Sequence, residues 1–205
     1  STRVRSSAAS DVYKRQVNAN ESLAEASAFF REASTIIITL GTAWTFRFNA
    51  TGEIVSNCLK RDAKEFTRER LSLKTCSVLL NSLVGKYPQK RFIFTVSPIR
   101  HLKDGAHGNQ ISKSTLLMAV DSVVENHPDQ CVYFPAYEIM MDELRDYRFY
   151  AEDMVHPSQQ AVNYIWERFC DFALPETERA TLEKNRKAFL QSQHRIITKP
   201  QNTDK

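Results

Sequence analysis

The sequence predicts an α/β fold in which a parallel β-sheet carries helices on both faces. Three short apolar runs rich in β-branched and aromatic residues, at residues 35–40, 91–97 and 131–134, alternate with longer segments of helical periodicity. Strands that alternate with helices are typical of parallel sheets with right-handed crossovers. Ligands bind beyond the carboxyl ends of such strands. Functional residues are therefore expected at 41–57, 97–110 and 142–156.

The first predicted helix covers residues 20–34, which are rich in helix formers and place Leu23, Ala26 and Phe30 at helical spacing. The run at residues 35–40 is short, continuous and β-branched. This pattern is typical of a strand buried on both faces. Gly41 ends the strand.

An irregular or hairpin-like stretch around Gly52 leads to a second helix, predicted over residues 72–86 and stopped by Pro88. The run at residues 91–97 predicts the second buried strand. The following loop holds two glycines and many polar residues, and no regular element is expected in it as far as Gln110.

The third helix is predicted to begin near Ser112, whose hydroxyl can cap it, and to end at Asn126. The third strand is predicted at residues 131–134. A polar, aromatic stretch without a predicted element then leads to Ser158, which is expected to cap the last core helix.

Three regions are expected along the chain. Residues 17–174 are long enough for one domain with its own core. Residues 1–16 have neither a signal-peptide apolar region nor a helix or strand period, and they resemble sequencing-adapter read-through, which predicts a non-native or disordered leader. Residues 175–205 are charged with few apolar side chains, which favours a solvated helix or disordered tail over an oligomerisation arm.

The net charge of +4 is located at the two ends of the chain. Residues 1–16 hold four basic residues and one acidic residue, and residues 175–205 hold seven basic and four acidic residues, which leaves −2 for residues 17–174. Nucleic-acid binding requires a basic patch on the folded domain. No nucleic-acid partner is therefore expected. No apolar run approaches the roughly 20 residues of a membrane span, and no membrane partner is expected either.

The cysteines are widely and unevenly spaced, without a C-x-x-C pair or a nearby cysteine–histidine cluster; they are Cys58, Cys76, Cys131 and Cys170. This spacing predicts buried thiols and no metal site. Since nothing resembles a disulfide framework, a reducing, cytoplasmic compartment is favoured.

Asp153 and His156 form the candidate catalytic pair. They lie three residues apart between the last predicted strand and the last core helix, and Pro157 follows them. A carboxylate at this spacing can reach the imidazole Nδ1–H, fix the tautomer and stabilise the imidazolium, which leaves Nε2 as a general base. The alternative is a loop ion pair or a helix-start contact without a catalytic role.

Longer motifs follow each predicted strand: LGTAW at residues 40–44, SPIRHLKDGAHGNQ at 97–110 and YEIMMDELRDYRFYAEDMVHPS at 137–158. Together they resemble the GSCFA family, a branch of the SGNH or GDSL-like hydrolases, over about residues 34–169. The resemblance implies a flavodoxin-like three-layer sandwich and a Ser-His-Asp mechanism without a cofactor. In that mechanism Asp153 is the orienting carboxylate and His156 the general base.

The family's naming block, Gly-Ser-Cys-Phe-Ala, does not occur in this sequence. The resemblance implies that this block carries the nucleophilic serine near the start of the domain. We therefore expect an N-terminally truncated chain with an incomplete sheet and little or no activity. Ser97 lacks the Gly-x-Ser-x-Gly elbow that exposes a nucleophile, and Ser158 matches a helix cap, so neither is a good replacement.

The resemblance also suggests residues that contact the substrate after the first strand. Gly41 stands where the family has a Gly-x-Asn-Asp block that supplies an oxyanion donor, and Thr42 follows it, but Ala43 takes the place of the asparagine. Asn57 is a candidate substitute because its amide can donate a hydrogen bond. The alternatives are that Asn57 satisfies a turn and that Gly41 serves a tight backbone turn.

Arg100 and His101 follow the second strand and are candidates for binding an anionic or sugar group of the substrate; the alternative is that both are exposed loop residues. His107 in the same loop is a weaker candidate. Because the histidines lack compact ligand spacing, no metal site is predicted from His101, His107 and His156.

Two functions fit these observations. The first is a serine-dependent esterase or acyl hydrolase that acts on a small-molecule or glycan ester. The second is a non-catalytic module on the same fold that binds a carbohydrate or an acyl group. An intact serine block upstream in the full gene would favour the enzyme, whereas its natural absence would favour the binding module.

Overall fold

The computed structural model describes residues 2–55 and 61–197, with side chains for residues 17–55 and 61–192. It is a mixed α/β structure, with 60% helix and 18% strand, which confirms the predicted class. The chain divides into two compact units, residues 1–95 with 110–133 and residues 96–109 with 134–205. No helix in the described part of the chain is long and apolar enough to cross a membrane.

The helices are α1 (Thr2–Glu32), α2 (Leu73–Lys86), α3 (Gly105–Asn126), α4 (Ala136–Glu138), α5 (Gln159–Ala173) and α6 (Glu176–Ile197). The strands are β1 (Thr35–Leu40), β2 (Trp44–Phe48), β3 (Ile54–Val55), β4 (Phe66–Arg70), β5 (Arg91–Val96) and β6 (Cys131–Phe134). Short 3₁₀ turns occur at Ala63–Glu65, Leu102–Asp104 and Tyr147–Phe149, and a π-helical segment, Ile139–Leu144, continues α4. The backbone of α1 includes most of the segment interpreted from sequence as a leader.

The three predicted strands form one parallel sheet in the order β1-β5-β6, which confirms the predicted topology. β5 lies in the centre, and five successive side chains, at residues 92–96, are buried. The core of the first unit contains Phe92 and Phe94 from β5 together with side chains of α2, α3 and β6. This sheet sets the positions at which the loops after β1 and β5 begin.

The prediction that β1 is buried on both faces is wrong. Its side chains alternate between exposed and half-buried, and Ile37 is 54% exposed. The core packs against Ile36, Ile38 and Leu40, which all lie on the other face. β1 is at one edge of the sheet. The core cluster, which includes side chains of α2 and α3, contacts only the face of β1 that carries Ile36, Ile38 and Leu40. A run of β-branched residues does not distinguish this arrangement from two-sided burial.

The hairpin-like stretch is a second, antiparallel sheet in the order β3-β2-β4. Gly52 has φ +75°, as the turn between β2 and β3 requires. β4 pairs with the whole of β2, from Trp44 opposite Arg70 to Phe48 opposite Phe66. β4 was not predicted because it contains three charged residues, one of which, Arg68, stacks 4.1 Å from the centre of the Trp44 ring.

Helix α3 begins at Gly105, seven residues before the predicted start, and the expectation of an irregular segment up to Gln110 is wrong there. Ser112 is therefore not a cap. It lies inside the helix and is fully buried. Glycines disfavour a helix by about 1 kcal/mol each, yet the helix includes Gly105 and Gly108. Ser112 and its neighbour Lys113 are buried in the same helix.

In the second unit, the segment from α4 to Leu144 packs against α5 through Met140, Leu144 and Ala161. The sequence predicted no regular element there. Helix α5 begins directly after Ser158, whose Oγ accepts a hydrogen bond from Ala161 N at 3.3 Å, which confirms the predicted cap.

Candidate active site

Asp153 and His156 are in direct contact in the second unit. His156 Nδ1 and Asp153 Oδ2 are 2.6 Å apart, within the predicted hydrogen-bond reach. Their side chains are 58% and 50% exposed, respectively. The pair thus lies at the surface, where a substrate can approach it.

Backbone contacts hold the carboxylate of Asp153 in place. Its Oδ1 accepts hydrogen bonds from the N–H groups of Val155, at 2.9 Å, and His156, at 3.0 Å. Met154 between them has φ +58°, in the left-handed region that L-residues with side chains rarely adopt. In this turn the Asp153 carboxylate contacts two backbone N–H groups and the histidine ring at the same time. The three-residue spacing alone did not reveal the two backbone contacts.

The loop that carries the pair is fixed at its base. Ala151 N donates to His156 O at 2.8 Å, and Ser158 N donates to Phe149 O at 2.7 Å. Tyr150 and Pro157 form an isolated antiparallel bridge between these two bonds. The imidazole is therefore presented from a closed loop at the start of α5. Such an arrangement reduces the motion of a catalytic side chain relative to its orienting carboxylate.

Hydrogen bonding sets the charge state of Asp153. The backbone N–H of His156, its ring N–H and the backbone N–H of Val155 all favour the carboxylate, and they lower its pKa from 3.8 to about 2. Because Asp153 is ionised at neutral pH, the proton between the two side chains belongs to His156 Nδ1. Within the described residues, His156 Nε2 has no hydrogen-bond partner, and it is the nitrogen available for proton transfer.

We expect the Asp153 carboxyl to titrate with a midpoint near pH 2, whereas an ordinary aspartate titrates near pH 3.9. A lowered folded-state pKa means that the pair's stabilisation is present above pH ~4 and is lost as the pH falls towards 2. Carboxyl ¹³C NMR measures the midpoint. In His156→Ala the midpoint should rise only in part, because both backbone N–H groups remain. A wild-type midpoint near 4 would contradict the interpretation.

Arg100 lies beside the same loop. Its backbone N donates to Val155 O at 3.2 Å, and its guanidinium carbon is 3.9 Å from the centre of the Tyr150 ring. The unit therefore brings Arg100 together with the loop of the pair. Its neighbour His101 donates its backbone N–H to Asn109 Oδ1 at 3.0 Å, and its carbonyl accepts from Asp104 N, so its backbone shapes the turn before α3. The substrate roles of Arg100 and His101 remain predictions.

The candidates Gly41 and Thr42 lie in the first unit, in the loop after β1. Ala43 N donates to Ser112 Oγ at 2.8 Å, and Trp44 N donates to Thr42 Oγ1 at 3.2 Å. The Gly41 carbonyl accepts from Lys113 Nζ at 2.7 Å. The backbone N–H groups of Ala43 and Trp44 therefore already have partners inside the protein, and neither is available as an oxyanion donor in this geometry. The assignment of Gly41 and Thr42 to substrate binding remains a prediction.

Helix α3 supplies two contacts that the sequence interpretation missed. Ser112, interpreted from sequence as a cap, and Lys113, which received no role, both fix the loop after β1. The sequence signal that could have revealed these contacts is the adjacent pair Ser112-Lys113 on a predicted core helix. Polar side chains that are buried need hydrogen-bond partners.

Several candidates have no observed site role. Asn57 lies outside the described residues. Ser97 is 8% exposed and its Oγ accepts from Ile99 N at 3.3 Å, an arrangement unlike an exposed nucleophile. His107 is exposed on α3. Among the described residues, no three histidine, cysteine, aspartate or glutamate side chains lie close enough to hold a metal ion. The described cysteines, Cys76, Cys131 and Cys170, are free and buried.

The fold and the site together define an α/β protein that presents an aspartate–histidine pair on a closed loop before a helix. The sequence pattern of the GSCFA family matches residues 3–169. The chain therefore belongs to the GSCFA family, which confirms the family that its motifs resemble. No curated protein and no solved structure matches the chain.

Proposed function

We propose that this chain belongs to a serine-dependent ester hydrolase in which Asp153 and His156 are the orienting carboxylate and the general base. The observation that carries the proposal is the 2.6 Å contact between His156 Nδ1 and Asp153 Oδ2, in a loop that leaves the imidazole exposed. This is the arrangement that a serine nucleophile requires of its base.

The proposed reaction uses His156 twice. Nε2 takes the proton of a serine hydroxyl as its oxygen attacks the ester carbonyl carbon, and the imidazolium then gives that proton to the departing alcohol. In the second half, Nε2 takes a proton from water as the water oxygen attacks the acyl carbon, and it returns that proton to the serine oxygen as the acyl–serine bond breaks and the acid leaves. Asp153 remains ionised throughout and stabilises the imidazolium, consistent with its lowered pKa.

The serine itself is proposed to lie in the Gly-Ser-Cys-Phe-Ala block, which these 205 residues do not contain. Ser97 is buried, and Ser158 caps α5. We therefore propose that the 205 residues supply the base and its orienting carboxylate but not the nucleophile. A small-molecule or glycan ester is the proposed substrate.

One observation favours the alternative, a non-catalytic module that binds a carbohydrate or acyl group. The N–H groups of Ala43 and Trp44, in the loop after β1, are bonded to Ser112 Oγ and Thr42 Oγ1. A hydrolase needs donors aimed at the developing oxyanion. In the proposed enzyme these donors come from elsewhere, whereas a binding module does not need them.

Ester turnover tests the proposal. The 205-residue chain should neither hydrolyse p-nitrophenyl acetate above the solvent rate nor be labelled by a fluorophosphonate probe. The same chain preceded by a family segment with the Gly-Ser-Cys-Phe-Ala block should do both, because the base then has its nucleophile.

Serine-to-alanine replacement in the added block is the control and should remove turnover and labelling. Equal labelling of the 205-residue chain would contradict the proposal and identify another nucleophile, with Ser97 the first to test. Inactivity of both chains would favour the binding module.

A further inference from the structure

A small cavity lies next to the loop that carries Asp153 and His156. Its volume is about 160 Å³, and Arg100, Arg145, Tyr147 and Tyr150 contribute to its wall. Tyr150 bridges to Pro157, the residue after His156, and the backbone of Arg100 bonds that of Val155, the residue before it. All of these residues belong to the second unit. The cavity thus borders the base of the proposed catalytic loop.

The side chains of the cavity carry uncompensated positive charge. Arg100 and Arg145 both line it, and in the described part of the chain neither guanidinium forms an ion pair. The one carboxylate in the wall, Asp146, is taken up by Arg148: Asp146 Oδ1 accepts from Arg148 N at 3.0 Å, and Oδ2 lies 3.7 Å from Arg148 Nε. The two cavity arginines therefore retain their capacity to bind an external anion.

Arg100 is held in an orientation that suits binding. Its guanidinium carbon lies 3.9 Å from the centre of the Tyr150 ring and 5.3 Å from that of Tyr147. Stacking on an aromatic face uses the plane of the guanidinium and leaves its N–H edge for hydrogen bonds. The hydroxyl of Tyr150 also donates a weak hydrogen bond to Met141 Sδ at 3.5 Å. An arginine ordered in this way loses less side-chain entropy when it binds.

The second arginine lies at the end of the π-helical segment. Arg145 is its C-cap and has φ +40°, the left-handed conformation in which helices commonly end. This helix end places Arg145 in the cavity wall. Arg145 is exposed and contributes to the same wall as Arg100. Two guanidinium groups around one small cavity are a typical arrangement for recognising an oxyanion.

We propose that this cavity binds an anionic group of the substrate, a carboxylate or a phosphate, so that the hydrolase acts on anionic esters. The inference rests on the proposed function, because it assigns the substrate class to that site. The cavity has about the volume of five water molecules, enough for one such group and a few atoms beyond it. The ester bond would then extend from the cavity towards the loop of His156.

NMR of the arginine Nε–H groups in the 205-residue chain tests this inference without requiring turnover. Titration with succinate or inorganic phosphate at constant ionic strength should shift the Arg100 and Arg145 signals saturably, whereas succinamide, the neutral analogue of succinate, should not. The two anions separate a carboxylate preference from a phosphate preference. Arg100→Gln and Arg145→Gln should each weaken binding of the preferred anion by roughly tenfold or more, since each removes a charged hydrogen-bond donor.

Arg168→Gln is the matched control. Arg168 also stacks on a tyrosine, with its guanidinium carbon 4.9 Å from the centre of the Tyr164 ring, but it lies outside the cavity. Its replacement should leave anion binding unchanged. Arg145 is exposed, so its variant keeps the test valid even if Arg100→Gln lowers the melting temperature.

Three results would overturn the inference: no saturable shift with either anion, equal shifts with succinamide, or unchanged binding in both cavity variants. Failure of this inference is distinct from failure of the proposed function. Anion binding without turnover of either a neutral or an anionic p-nitrophenyl ester in the serine-bearing chain contradicts the hydrolase alone, whereas turnover without anion binding contradicts only the substrate class.

Discussion

Replacing His156 with alanine is expected to abolish ester turnover in the chain that carries the serine block. His156 is the only group proposed to accept the serine proton, and its Nε2 has no hydrogen-bond partner among the described residues. Without it the serine must attack as a neutral hydroxyl, and only binding and oxyanion contacts remain to accelerate the reaction. Steady-state kcat and KM for p-nitrophenyl acetate measure the loss, which should fall on kcat. Turnover close to wild type would show that another group is the base.

Asp153→Asn should lower kcat by about 10⁴-fold while the fold is retained. The asparagine Oδ1 can still accept the N–H groups of Val155 and His156, so the turn survives. Its amide, however, donates where the carboxylate accepted the ring N–H. This favours the tautomer protonated on Nε2, which cannot act as a base.

Asp62→Asn is the matched control for this change. Asp62 also accepts a backbone N–H two residues ahead, from Lys64 at 3.0 Å, but no histidine is bonded to it. The control variant should keep wild-type kcat, and circular dichroism should be the same for all three proteins. A loss of less than tenfold in Asp153→Asn would contradict the orienting role and leave the pair as a loop contact.

The sequence predicted the features that depend on local spacing. The three strands of the parallel sheet follow from apolar runs between helical segments, and the contact of Asp153 with His156 follows from their separation. Ser158 as a helix cap follows from its place before an apolar helical stripe. Each of these predictions uses only neighbouring residues, and the tertiary contacts of the fold agree with it.

Features that depend on tertiary contacts were not predictable. Ser112 has the residue type of a cap, but its partners are Thr42 and Ala43, about 70 positions away. The alternating exposure of β1 depends on its place at the sheet edge, which its own β-branched sequence does not encode. The cavity joins Arg100 to Arg145, residues that α3, β6 and α4 separate along the chain. Arg100 was proposed from its position after β5, but Arg145 carried no sequence signal.

Lys113 is the most deeply buried charged group described. It is 1% exposed, and its Nζ donates to the Gly41 carbonyl at 2.7 Å. Burial disfavours the ammonium form and lowers the pKa of Lys113 from 10.5 to about 8. The loop after β1 is therefore anchored by a group whose charge changes within an accessible pH range.

We expect the free energy of unfolding to gain a contribution from Lys113 as the pH rises from 8 to 10.5. In this window the folded state holds a neutral amine while the unfolded state still binds the proton, so a rising pH favours folding. Below pH 8 both states are charged and the contribution is constant. At about 1.4 kcal/mol per pH unit the full change is about 3 kcal/mol.

Lys113→Met isolates this contribution, because buried thiols such as Cys76, whose raised pKa acts in the opposite direction, are common to both proteins. Urea unfolding at pH 7 to 10.5 should show the stability of the variant relative to wild type falling by about 3 kcal/mol across that range. Lys74→Met, at an exposed position on α2, should show no such change. Parallel pH profiles for wild type and Lys113→Met would mean that Lys113 titrates alike in the folded and unfolded states, and that its burial does not disfavour the ammonium form.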